Sequence, residues 1–239
     1  INILNILNEL NITNTALFVT TDKVYANDNR KKYFKETDSL GGSDPYSNSK
    51  SCAELAVNSY FQSFLKKKKI FVATARAGNV IGGGDFSKDR IIPDYFRSLI
   101  NNQNLYLRSP NSIRPWQHVL DPLYGYILLL MKLHKKQLPS GSCYNFGPGN
   151  SNNKSVSEVI DLINLNFENS VKKIKDDIKN DNFKESKVLM LNSNKAKKQL
   201  GWNTKYSLEY SIKLTSDWFK EYSNNKDNIM NFTERQIRD

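Results

Sequence analysis

Tyr46 and Lys50 lie four residues apart, directly after Pro45, at the opening of a segment with helical periodicity. Side chains at that spacing project from one helix face and can share a site. A free phenol ionises near pH 10, so a tyrosine acting as a base near neutrality needs ~4 kcal/mol of help from neighbouring positive charge. The Lys50 ammonium supplies that sign of field, as would the positive ring of an oxidised nicotinamide. The spacing alone is not distinctive. A second pair, Tyr222 and Lys226, stands at the end of a late amphipathic segment with no strand end beside it, and reads as surface.

Context sets Tyr46 apart. Thr21-Asp22-Lys23 follows the apolar run 16–20 (Ala-Leu-Phe-Val-Thr), which reads as a strand. On one reading the triplet is a polar strand end entering a turn. On the other, Thr21 donates a hydrogen bond to a sugar oxygen, and Asp22, kept protonated by burial, protonates a leaving hydroxyl. Lys23 then either abstracts a proton as a free amine or stabilises negative charge. Two further stretches belong with these: Arg76-Ala-Gly-Asn-Val-Ile-Gly-Gly-Gly-Asp85 and Ser112-Ile-Arg-Pro-Trp-Gln-His-Val-Leu-Asp121. Their glycines serve equally as tight turns, and Trp116 and His118 as core. Arg114 is the exception, because a guanidinium at a strand entry suits a diphosphate through paired hydrogen bonds.

The elements that must position these groups follow from periodicity. Ile3, Ile6, Leu7 and Leu10 predict an amphipathic helix over 1–10. The run 16–20 predicts a parallel strand buried on both faces, followed by a polar loop to Asp44. A helix is expected over 45–64 with Ala53, Ala56, Val57, Tyr60 and Phe64 on its apolar face. Strands are expected at 70–76 and 142–146, the second closing on Gly147-Pro148, with a helix over 121–133 between them. Ser155 with Glu158 three residues on predicts a capped helix to about 167. Another amphipathic helix spans 208–222, the remainder is expected to be mostly helical, and the residues past Ser223 read as a loosely held tail. Alternating helix and strand imply parallel crossover units, whose ligand sites lie beyond the carboxyl ends of strands. Thr21–Lys23 and Ala77–Asn79 both occupy such ends.

Composition narrows the function classes. With 239 residues and 38% hydrophobic content there is room for one substantial core and a small second lobe. The formal charge of +11 is spread through helical segments, and only Lys66–Lys69 form a run, read as a solvated helix end. Nucleic acid is therefore not an expected partner, although a basic excess helps attract a nucleotide diphosphate. Cys52 and Cys143 form no Cys-x-x-Cys pair, which argues against zinc ribbons and disulfide scaffolds and fits a reducing cytoplasm. No metal site is expected. No apolar run approaches the ~20 residues of a membrane span, and no secretion signal is evident. A dinucleotide fold should open on strand, G-x-G-x-x-G and helix, which is absent; Gly82-Gly83-Gly84 lacks that spacing. Roughly three βα units, about 90–100 residues, are expected ahead of Ile1.

Phe18-Val-Thr-Thr-Asp-Lys-Val-Tyr25, Gly41-Gly-Ser-Asp-Pro-Tyr-Ser-Asn-Ser-Lys50, Ala75-Arg-Ala-Gly-Asn-Val-Ile-Gly-Gly-Gly-Asp85 and Arg114-Pro-Trp-Gln-His-Val-Leu-Asp121 together resemble a family in order and spacing. They are similar to the nucleotide-sugar 4,6-dehydratases of the extended short-chain dehydrogenase/reductase type, and among these to the enzymes of CDP-glucose. The resemblance continues through Tyr144-Asn-Phe-Gly-Pro148 and Lys195-Ala-Lys-Lys-Gln-Leu-Gly-Trp202.

It implies an α/β fold: a partial Rossmann-like, doubly wound parallel sheet without its first βα units, plus a smaller, mostly helical C-terminal substrate lobe. Residues 1–80 and 115–147 would be the remaining NAD-binding part, 81–114 and 148–224 the nucleotide-sugar lobe, and 225–239 a tail. It implies dehydration of CDP-glucose to CDP-4-keto-6-deoxyglucose, with tightly bound NAD taking hydride from C4 and returning it to C6. Position by position, Tyr46 would be the base for the C4 hydroxyl. Lys50 would tune it and hold the nicotinamide ribose, Thr21 would bond the C4 oxygen, and Asp22 would protonate the C6 hydroxyl. Related sugar dehydratases carry a glutamate after this aspartate as the C5 base; Lys23 stands there, as in CDP-glucose enzymes, leaving the C5 base open. Asn79 and Arg114 match substrate-nucleotide contacts, and Asp89, Arg90 and Arg108 fall in the substrate lobe. A homodimer through the Tyr-Lys helix is compatible. The chain alone, without most of the cofactor grip, is expected to be inactive. The alternatives are an epimerase or a dehydratase of another nucleotide sugar, or a non-catalytic nucleotide-binding protein of the same fold.

Overall fold

A computed structural model describes residues 1–10, 13–27, 33–149, 152–168, 170–175 and 188–239. Parts of the expected loop to Asp44 (28–32) and of the expected lobe 148–224 (150–151, 169 and 176–187) lie outside the described residues. The helices are α1 (Asn2–Leu10), α2 (Pro45–Tyr60), α3 (Ile91–Ile100), α4 (Leu120–His134), α5 (Val156–Asn164), α6 (Asn194–Leu200), α7 (Leu208–Asn224) and α8 (Ile229–Arg238). The strands are β1 (Thr15–Val19), β2 (Tyr33–Phe34), β3 (Phe71–Ala77), β4 (Val80–Ile81), β5 (Leu105–Leu107), β6 (Ile113–Pro115), β7 (Gln117–His118), β8 (Ser142–Phe146), β9 (Asn153–Ser155), β10 (Lys173–Lys175) and β11 (Met190–Leu191).

The frame is a parallel sheet in the order β1-β3-β8, with Thr15 opposite Phe71 and Ala77 opposite Phe146. Helix α2 lies in the β1–β3 connection and α4 in the β3–β8 connection, so both are parallel crossovers. Side chains alternate along β3. Ala73, Ala75 and Ala77 face α4 and α6 in a core with Leu129, Leu133, Tyr144, Phe146 and Trp202. Val72 joins Leu4, Leu7, Val57, Phe61, Leu65 and Ile70 on the other face. A third apolar cluster joins α3, α5 and α7 around Tyr95, Phe96, Trp116, Ile160, Trp218 and Phe219.

Several expectations are corrected. Strand β1 is only partly buried: Ala16 and Phe18 pack on one core and Leu17 on the other, but no described strand pairs with its outer edge and Val19 is 54% exposed. On α1 the buried residues are Leu4 and Leu7, whereas Ile3, Ile6 and Leu10 are exposed. On α2 the stripe turned inward is Ser47, Ser51, Glu54 and Val57, continuing through Phe61 and Leu65. The stripe of Ala53, Ala56, Tyr60 and Phe64 is left exposed or half-buried, because the helix lays its polar stripe against polar strand ends. The C-terminal part is mostly helical as expected, and its short strands β9, β10 and β11 pair with β6, β5 and β2. The residues past Asn224 are no loose tail. Helix α8 lies on α7, where Thr233 accepts from Trp218 Nε1 at 2.8 Å and Gln236 donates to Leu214 O at 2.9 Å. A buried indole needs an acceptor, and Thr233 provides one.

Thr74 and Arg76 share the face of Val72 and meet Glu54 of α2. Glu54 Oε1 accepts from Thr20 Oγ1 at 2.6 Å and from Arg76 Nε at 2.8 Å. Its Oε2 accepts from Thr74 Oγ1 at 3.2 Å and pairs with Arg76 Nη2. Arg76 Nη1 donates to Tyr25 OH at 2.7 Å, and Tyr25 donates in turn to Asn145 Oδ1 at 2.7 Å. Breaking one side of a buried, fully bonded ion pair costs about 3–5 kcal/mol, because the other charge stays uncompensated. Glu54→Gln should therefore lower unfolding free energy by about that much in urea titrations, while Glu54→Leu combined with Arg76→Met should cost less than Glu54→Leu alone. Additive losses would contradict the pairing.

Candidate active site

The end of β1 is held to its neighbour by Thr20 N donating to Ala75 O at 2.8 Å. Thr21 then caps a single 3-10 turn, Asp22–Val24, its Oγ1 accepting from Lys23 N at 3.4 Å. The same hydroxyl donates to Asp22 Oδ1 at 3.1 Å. Asp22 is only 3% exposed, and its Oδ2 has no hydrogen-bond partner among the described residues. Burial pushes its carboxyl up to about 6, against the opposing pull of the Thr21 hydrogen bond and the Lys23 and Arg114 charges. It is a carboxyl kept near its proton by its surroundings. Tyr126 on α4 is pushed up to about 12 by burial and, secondarily, by the Asp22 charge.

Helix α2 opens beside this turn. Asp44 is its N-cap, accepting from Ser47 N at 2.9 Å and Ser47 Oγ at 2.5 Å, and Pro45 occupies the first turn. Burial works to raise the Asp44 carboxyl, but these bonds and the Lys23 charge prevail and hold it below the usual range. Ser51 Oγ donates to Val24 O at 2.8 Å, which fastens the helix to the 3-10 turn. Tyr46, 51% exposed, stands at the rim. Lys50 Nζ lies 5.6 Å from its ring centroid and Lys23 Nζ 5.9 Å, so two ammonium groups flank one phenol ring. Thr21, Asp22, Lys23, Tyr46 and Lys50 thus converge on one mouth.

The other candidates are placed differently. Arg114, on β6, is 4% exposed, donates to Ile113 O at 2.9 Å, and acts on Asp22 through its charge. Asn79 is half-buried just past β3, where its carbonyl accepts from Gln117 N at 3.0 Å. Asp89, Arg90 and Arg108 are exposed, Asp89 with a φ of 60° and Arg90 as the N-cap of α3. No described hydrogen bond or ion pair joins their side chains to the Thr21–Lys23 turn. Trp116 and His118 are core, and burial lowers His118 to about 4. A methyl group on Gly83 would come within 2.0 Å of Trp218 Cγ, so this glycine gives room to a core indole. Among the described residues no group of three His, Cys, Asp or Glu could hold a metal ion. The sequence reading missed Glu54, Tyr25 and Asn145. Glu54 carried a signal, standing four residues after Lys50 in register with Ser47 and Ser51.

The sequence model of the GDP-mannose 4,6 dehydratase family matches residues 1–215. The chain is 37% identical over 226 residues to a CDP-glucose 4,6-dehydratase of Salmonella typhimurium, covering 92% of this chain and 62% of that protein. It is 27% identical over 221 residues to a dTDP-D-glucose 4,6-dehydratase of Homo sapiens, covering 89% and 58%. The chain thus spans about three-fifths of the length of these relatives. Among solved structures, a dTDP-glucose 4,6-dehydratase from Bacillus anthracis in complex with NAD superposes with a TM-score of 0.75 at 23% identity, over 94% of this chain and 66% of that one. A UDP-glucuronic acid 4-epimerase from Bacillus cereus in complex with UDP-glucuronic acid and NAD gives 0.76 at 17%, over 91% and 65%. The α/β fold with a parallel sheet is shared with both. No described helix is long and apolar enough to cross a membrane.

Asp22 has a stability signature. Its folded pKa, about 6, lies above the ordinary 3.8, so its charge penalises the folded state, with stability lost as pH rises from 3.8 through 6. At one pKa unit per 1.36 kcal/mol the loss approaches about 3 kcal/mol. His118 works oppositely, its stability contribution being lost as pH falls from 6.5 through 4. Asp22→Asn removes the first effect alone. The variant should match the unaltered protein at about pH 3 and exceed it by up to about 3 kcal/mol at pH 8 in urea unfolding. Equal stabilities at pH 8 would contradict this account of Asp22.

Proposed function

The chain belongs to the GDP-mannose 4,6 dehydratase family, and from that premise we propose that it carries the catalytic and substrate side of a nucleotide-sugar 4,6-dehydratase acting on CDP-glucose. The observation that carries this reading is Asp22, a buried carboxyl with one oxygen unpartnered, beside a phenol flanked by two ammonium groups. Inverting a carbon through its ketone needs only the base at C4. Expelling a hydroxyl from C6 also needs an acid, and Asp22 meets that need. The 37% identity to a CDP-glucose enzyme favours that nucleotide.

In this reading the Lys23 and Lys50 ammoniums stabilise Tyr46 as the phenolate, which takes the C4 hydroxyl proton and becomes the neutral phenol, and Thr21 donates to the C4 oxygen. As the C5–H bond breaks and its electron pair forms the C5=C6 double bond, the C5 proton passing to a basic group on that face, Asp22 gives its proton to the C6 hydroxyl, the C6–O bond breaks and water leaves. Asn79 and Arg114 serve the substrate nucleotide, with Asp89, Arg90 and Arg108 on the outer side of the substrate lobe. NAD, when bound, supplies a hydride acceptor for C4. Tyr46 and Lys50, at an open rim, suit its nicotinamide ribose. No glycine-rich turn with dinucleotide spacing lies among the described residues, so we assign the pyrophosphate cradle to the length of the relatives that this chain does not span.

We also infer a cytoplasmic homodimer. Cys52 and Cys143 are both free, as a reducing compartment would keep them. Ala53, Ala56 and Tyr60 of α2, with Phe64 just beyond it, leave an exposed or half-buried apolar stripe, and Tyr60 OH, bonded to Asn5 Oδ1 at 2.6 Å, brings α1 with its exposed Ile3 and Ile6 alongside. Phe64→Glu should convert the dimer to a monomer in sedimentation velocity, and an unchanged mass would count against this face.

The complete protein incubated with CDP-glucose and NAD should form a 4-keto-6-deoxy product, visible by its ultraviolet absorbance in alkali. Turnover of a different nucleotide hexose, and none of CDP-glucose, would contradict the substrate assignment. Tyr46→Phe should lower kcat by 10²-fold or more with its circular dichroism unchanged.

A further inference from the structure

Gly78 follows directly on β3 and faces the Asp22 carboxyl. Its φ is not in the left-handed region, so no backbone strain calls for glycine here. Space does. A methyl group at this position would come 2.5 Å from Pro115 Cγ, 3.0 Å from Pro115 O and 3.3 Å from Asp22 Oδ2. Carbon atoms make no contact at 2.5 Å, so an alanine would force the Pro115 ring to move. Pro115 is the last residue of β6, directly after Arg114, whose charge bears on Asp22. The third contact, Asp22 Oδ2, is the buried oxygen that has no partner. The bare backbone at 78 is therefore what lets the end of β6 close on the Asp22 carboxyl without a side chain crowding that oxygen.

We propose that Gly78 is a positioning residue for the acid step: by carrying no side chain it seats Pro115, and with it Arg114, against Asp22 and keeps the Oδ2 face clear for the leaving hydroxyl. The assignment of Asp22 as the acid rests on the dehydratase reading; the steric control of Asp22 by residue 78 does not. An alanine acts twice in the same direction, setting a methyl group that offers no hydrogen bond against the buried Oδ2 and displacing the Arg114 charge, and both effects disfavour the carboxylate.

The test uses the protein labelled with carboxyl-13C aspartate. Unaltered protein should show Asp22, identified by its loss in Asp22→Asn, titrating near 6. In Gly78→Ala the midpoint should rise by about one unit or more. Adding Pro115→Ala, which removes the ring carbon at 2.5 Å, should bring it back towards the unaltered value. An unmoved midpoint in Gly78→Ala overturns the proposal, as does a shift or a loss of folding that Pro115→Ala leaves unrepaired. In single turnovers of the complete protein with CDP-glucose, Gly78→Ala should oxidise C4 at the unaltered rate but form water and product at least tenfold more slowly. Equal slowing of both would overturn a role specific to the acid step. No turnover by the unaltered protein would instead sink the dehydratase reading, with the titration still deciding the role of Gly78.

Discussion

Glu54 and Arg76 sit in the interior with their charges matched, and the placement of α2 depends on them. Each Glu54 oxygen accepts two hydrogen bonds, and the donors come from Thr20 past the end of β1 and from Thr74 and Arg76 on β3. A helix anchored only by Val57, Phe61 and Leu65 could rotate or slide by small amounts at little cost, since apolar contact is not directional. A carboxylate with four directed bonds cannot. Because Glu54 is one turn beyond Lys50 and two beyond Tyr46, fixing its rotation fixes theirs. Through Tyr25 and Asn145 the same network reaches the 3-10 turn and β8, so the Asp22 and Tyr46 sides of the mouth are referenced to one buried charge pair.

The frame is built for stability where the mouth is not. Asp22 is buried with one oxygen unpartnered, and such a group costs about 1–3 kcal/mol even uncharged. A fold optimised for stability alone would replace it with an apolar residue or bond it fully. The Asp22 carboxyl is hemmed by well-bonded neighbours: Thr20 on Ala75, Ser51 on Val24, Asp44 on Ser47. A saturated network thus stands beside an unsatisfied carboxyl, the contrast on which the proposed role of Asp22 rests.

Much of this was legible in the sequence. β3 is a short, largely apolar run and both it and β8 are ended by Gly, and α5 opens with the Ser155–Glu158 capping box, whose two reciprocal bonds are present. The convergence of Thr21–Lys23 with Tyr46 and Lys50 followed from strand end, connection and helix start. Other features were hidden for definite reasons. Strands β9 and β11, Asn-Lys-Ser and Met-Leu, are extended because partners far along the chain hold them, and nothing local marks them. Helix α2 carries two candidate stripes, and the more apolar one faces outward because the buried one must meet Arg76 and Val24. Helix α8 is mostly polar, and it is held by the acceptor that Trp218 requires. The contact among Gly78, Pro115 and Asp22 joins three segments that only the folded sheet brings together.

The most direct test of the central claim, that Asp22 and Tyr46 serve a dehydration rather than an inversion at C4, follows the label from CDP-glucose deuterated at C4 by NMR. The account predicts a 6-deoxy product with that deuterium at C6 and a solvent-derived hydrogen at C5. Deuterium retained at C4 of an inverted sugar, with the C6 hydroxyl intact, would contradict it.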